Sequence, residues 1–151
     1  MELKKQVRTI GVVAAAVFAM SPVVANAASG DGTAAGGCNK DGHNGQAYTH
    51  YNEGGVYTKV TWFEYRISGK GTGGKSNVNI RHYEKRRLQK DKLLYSNDSP
   101  DNVKQNTDYS HTPRNPIQLD SGKKQHTDYH FVFDTAGGDP TCKATTSDFP
   151  A

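Results

Sequence analysis

The chain has 151 residues and a formal net charge of +4, which fits one domain. Three of its 19 basic residues and one of its 15 acidic residues precede position 28, so the rest carries +2; nucleic-acid binders usually carry a concentrated basic face instead. Only 16 residues after position 27 are Leu, Ile, Val or Phe, but the low net charge argues against disorder, and eight Tyr with Trp62 supply the large apolar areas of a small ordered core.

Residues 1–27 read as a signal peptide. Lys4, Lys5 and Arg8 form a basic start, Ile10 to Met20 is an apolar run too short to span a bilayer, and Ala25-Asn26-Ala27 supplies a small-x-small cleavage pattern. The expectation is a secreted, extracellular protein beginning at Ala28, with no stable membrane insertion. Residues 28–37, ASGDGTAAGG, hold four glycines and no large apolar side chain, and are expected to form a flexible arm. Residues 38–151 then make a single domain. Cys38 and Cys142 are the only cysteines, and in an exported chain they read as a disulfide. Closing so long a loop is worth about 4–5 kcal/mol on the chain-entropy model.

Val56 to Ile67, VYTKVTWFEYRI, is the strongest strand, rich in β-branched and aromatic residues. Val56, Val60 and Trp62 share one face and Phe63, Tyr65 and Ile67 the other. Either a bulge near Trp62-Phe63 swaps the faces or both are covered. Trp62 is expected in the core. Gly69 to Gly74 predicts a hairpin turn, with Asn77 to Arg87 as the partner strand. Leu93 to Tyr95 starts a third strand, Ser96 to Pro116 is a long polar loop of the kind that carries function or conceals an element, and Pro116 to Asp120 reads as an edge strand. Thr127 to Thr135 alternates cleanly, with Tyr129, Phe131 and Phe133 inward. Gly137 to Pro140 is a turn. The fold class is all-β: a small antiparallel β-sandwich closed by one disulfide.

Catalytic and metal signatures are weak. The six histidines show no strong ligand spacing, no GxSxG turn occurs, and Glu64 alone gives no facing carboxylate pair. No enzyme activity, cofactor or metal is expected. The candidate interaction residues are Tyr48, Tyr51, Tyr57 and Tyr65, as exposed aromatics suited to protein recognition or sugar stacking, and Lys85, Arg86 and Arg87, the densest basic cluster. The expected role is a secreted interaction module with a secreted protein partner. The alternatives are a binder of extracellular glycan or anionic cell-wall polymer, and a protease inhibitor presenting Ser96 to Pro116.

A leader, a Gly/Ala arm at Ala28–Gly37 and a compact body between Cys38 and Cys142 give a layout that resembles small secreted single-domain proteins of Gram-positive soil bacteria. It is similar in size and layout to the adaptor subunit of umbrella-shaped toxin particles. The resemblance implies a protein that bridges a lectin subunit to a repeat-bearing stalk, using its N-terminal extension as an insert.

Overall fold

The computed structural model describes residues 30–151; the leader expected over 1–27 and the first two residues of the expected arm lie outside them. The strands are β1 (Gly30–Lys40), β2 (His43–Glu53), β3 (Tyr57–Gly69), β4 (Asn77–Lys85), β5 (Lys92–Asp98), β6 (Asp108–His111), β7 (Ile117–Asp120), β8 (Lys124–Val132), β9 (Thr141–Thr145) and β10 (Phe149–Pro150). They form two antiparallel sheets. Sheet A runs β1-β2-β3, with β6 and β7 end to end along the far side of β3. Sheet B runs β8-β4-β5, with β9 and β10 end to end along β8. The expected all-β sandwich with a Cys38–Cys142 disulfide is the fold.

Three expectations need correction. First, Gly30–Gly37 is not an arm: it belongs to β1, paired along its length with β2. Asp41 and Gly42 both have positive φ, 52° and 87°, the requirement of a tight type I′ hairpin turn. The inward positions of β1 are Gly32, Ala34, Gly36 and Cys38, and their smallness is a packing requirement. The disulfide joins β1 to β9 across the two sheets with the Cα atoms 5.9 Å apart, where sheets ordinarily stand about 10 Å apart. A Cβ on Gly36 would lie 2.8 Å from the Thr145 carbonyl oxygen.

Second, β3 and β4 are not a hairpin. Residues 70–76 carry the chain from sheet A to sheet B, and β4 pairs with β5 and β8 instead. Third, Trp62 is not core; it is 40% exposed. The extra residue in β3 is Thr61, since His50 pairs with Trp62 but Tyr51 with Val60. The Thr61 hydroxyl donates to the His50 carbonyl at 2.9 Å, bracing the bulge. Thr58 and Val60 point inward before it and Phe63, Tyr65 and Ile67 after it. The polar stretch 96–116 likewise contains the end of β5 and all of β6.

The core between the sheets is aromatic, with Phe63, Tyr129, Phe131 and Phe133 fully buried. A polar relay crosses it. Gln125 donates to the Pro150 carbonyl, leaving its Oε1 to accept from His82 Nε2 at 2.9 Å. His82 Nδ1 then accepts from the Thr127 hydroxyl at 2.9 Å, and Thr127 accepts from Thr49 at 2.8 Å. Tyr129 donates to the Tyr48 carbonyl at 2.7 Å. Burial holds His82 uncharged, its pKa pushed down to about 4. An unfolded chain binds a proton there below about pH 6.5. Between those values the unfolded state carries more protons, so stability falls as pH falls through the window. The loss from His82 should reach about 3 kcal/mol near pH 4. Urea unfolding at pH 7 and pH 4.5 checks this: His82→Gln should flatten the pH slope, and equal slopes in the two proteins would exclude His82 as the source.

Candidate functional site

Two surface features follow from this architecture. One is the outer face of sheet A. Alternation places Tyr48 and His50 of β2 and Trp62 and Glu64 of β3 outward. The Trp62 ring stacks on His50 with centroids 4.2 Å apart and planes 15° apart. The Tyr48 ring lies 6.5 Å from His50, tilted by 38°. Both imidazole nitrogens are engaged, Nδ1 with the Thr33 hydroxyl at 3.0 Å and Nε2 with Glu64 at 3.1 Å. His50 is therefore a fixed plate beneath an exposed indole. Arg66 follows on the same face, paired with Asp108 at 3.3 Å. Thr33, His50 and Glu64 form a hydroxyl–imidazole–carboxylate line, the components of a hydrolytic site. All three lie on the outer face of sheet A.

The second feature is a cleft of about 480 Å³ between the edge strands β5 and β6–β7. The sandwich is a wedge: the disulfide closes one edge, and the opposite edge splays. Leu94 is an extra residue in β5, since His82 pairs with Tyr95 but Tyr83 with Leu93. Thr112 to Pro116 interrupts the facing edge between β6 and β7. Tyr95 stacks on buried Phe63, 5.4 Å away, and its hydroxyl is hydrogen-bonded to His111 Nε2. Burial lowers the His111 pKa, and the nearby Arg114 charge adds to this. Arg114 lines the cleft and makes no ion pair among the described residues.

The structure separates the expected interaction residues. Tyr48 is on the aromatic face. Tyr57 is exposed at the start of β3, an outward position five residues before Trp62. Tyr51 points inward and stacks on Phe149 at 4.4 Å. Tyr65 is a correction to the exposed set: it is 6% exposed and stacked on Tyr109 within the core. Lys85 is held by Asp148 and Arg86 faces Glu84 at 3.9 Å, with Arg87 in the turn beyond β4, so the basic run lies at a strand end and two of its three charges face carboxylates. Among the described residues no group of three or more His, Cys, Asp or Glu is placed to hold a metal ion.

Sequence reasoning missed Trp62 as a surface residue, and did not single out Tyr95, His111 or Arg114. The available signals were the two prolines at 113 and 116, which break a strand edge, and the face ambiguity around Trp62. Comparison of the chain with known protein families, curated proteins and solved structures finds no match.

Proposed function

We propose that the protein is an exported, non-enzymatic interaction module that joins a secreted protein partner through the outer face of sheet A, in the manner of an adaptor. The observation that carries this reading is the exposed Trp62 stacked on a doubly hydrogen-bonded His50. Trp, Tyr and Arg dominate the residues that supply most binding energy in protein interfaces, and Trp62, Tyr48 and Arg66 lie together on this face. A flat sheet surface suits a partner protein, and rings already fixed in place lose little conformational entropy on binding. Insertion of residues 28–37 is not the mode favoured, because Gly30–Gly37 is committed to β1 and the Ala35 carbonyl accepts from the Ser147 N–H at 3.1 Å.

Trp62→Ala tests the reading. The indole lies outside the core, so the thermal midpoint should move little. Affinity for the partner captured from the native secretome and identified by mass spectrometry should fall about thirtyfold, the effect of losing about 2 kcal/mol. Capture of the same protein with unchanged affinity would remove the face from the mechanism.

A further inference from the structure

We infer that the cleft at the open edge of the wedge binds an acidic saccharide, with a uronate carboxylate on Arg114 and the C–H face of its ring against Tyr95. The charge pattern selects an anion: no carboxylate lines the cleft, and the Arg114 guanidinium, a planar fork of donors that matches a carboxylate, has no ion-pair partner among the described residues. It selects a single negative charge rather than a dense polyanion. His111, the other ionisable base in the lining, is kept largely uncharged at neutral pH by burial and by Arg114 itself.

The remaining lining specifies the rest of the ligand. Leu94, Tyr95 and Ile117 give apolar walls, and Asn97 gives an amide that both donates and accepts hydrogen bonds. That mixture suits a ring with C–H faces and hydroxyl edges; a glycerol-phosphate chain has no such face. The cleft volume of about 480 Å³ falls within the range of about 300–1,000 Å³ typical of small-ligand sites. A peptide added as an extra strand needs a continuous strand edge. Here Thr112 to Pro116 breaks the β6–β7 edge, Pro113 and Pro116 lack an N–H to offer, and on the facing edge the extra residue Leu94 interrupts the register of β5. The site is remote in kind from the aromatic face: it uses inward-facing residues of the edge strands, whereas the face uses outward ones.

Titration of the disulfide-intact protein with short oligogalacturonate and oligomannuronate, followed by amide chemical shifts, tests this. At least one of the two should bind more than tenfold tighter than neutral galacto-oligosaccharide of equal length, with the largest shifts at Tyr95, His111 and Arg114. Arg114→Gln should abolish the preference for acid over neutral sugar. Lys40→Gln, which removes a charge at the closed edge, should not. The proposal is overturned by a Kd above about 1 mM for both acids, by equal binding of the neutral sugar, by an unchanged preference in Arg114→Gln, by equal binding of poly(glycerol phosphate), or by shifts centred on Trp62.

Discussion

Replacing Cys38 and Cys142 together with Ala should lower the unfolding free energy by about 4–5 kcal/mol, the chain-entropy value for releasing a loop of about 100 residues. A domain of this size has about 5–15 kcal/mol in total, so the double variant should fold in the cold and be marginal when warmed. The loss should also be uneven. The inward positions of β1 hold Gly32, Ala34, Gly36 and Cys38, and these bury little apolar area. Beyond its ladder with β2, β1 is held by the bridge to β9 and by the Ser147-to-Ala35 hydrogen bond. Without the bridge, native-state amide exchange should show β1 opening well below the global free energy, while β4 and β8 keep near-global protection. A loss under about 1 kcal/mol, or equal loss of protection in all strands, would mean that the ladder alone anchors β1.

The wedge explains which parts of the fold were legible. In β8 and the two residues after it, the alternation Tyr129, Phe131, Phe133 against Asp128, His130, Asp134 gives the strand and its buried face directly, and the structure buries those three rings. β1 was illegible for the opposite reason. Its pattern also has period two, but the inward residues are Gly and Ala, and a run of small residues looks the same whether it is free in water or pressed against a neighbouring sheet. Only the separation of the sheets at the disulfide decides between them. The local signal was the Asp41-Gly42 pair, a strong hairpin dipeptide when alternating hydrophobic residues flank it; here the flanks are polar and small.

The two candidate sites were legible in parts. The switch of faces within β3 was visible as two conflicting registers, and a bulge was one of its two solutions. Which face held Trp62 depended on Thr61 being the extra residue, which is set by pairing with β2 and not by β3 alone. The cleft brings Tyr95, His111 and Arg114 together from β5, β6 and the break that follows. No spacing rule connects them, because the connection is the splay of two sheets. Residues 96–116 did stand out for length and prolines, and that region supplies two of the three residues.

Phe131→Ala should be the most damaging single substitution in the core, at about 3–5 kcal/mol for a fully buried ring. Phe131 is 0% exposed and pairs with Val78 and Cys142 across sheet B. Its ring rests on Gly45 of sheet A, which pairs with Cys38; a Cβ at position 45 would lie 2.5 Å from the ring. Gly45 is thus the hole that admits the ring beside the disulfide. Gly45→Ala alone should cost about 1–3 kcal/mol by overpacking. In the Phe131→Ala background the same methyl enters the vacated space, so its cost should shrink or reverse. The double variant should then lose less stability than the sum of the single losses, by about 1 kcal/mol or more, as expected for residues that share one cavity. Guanidinium unfolding of the four proteins of this cycle measures the difference. Strict additivity would mean that the ring and the glycine do not compete for the same volume, and that the small residues facing β8 are not there to receive it.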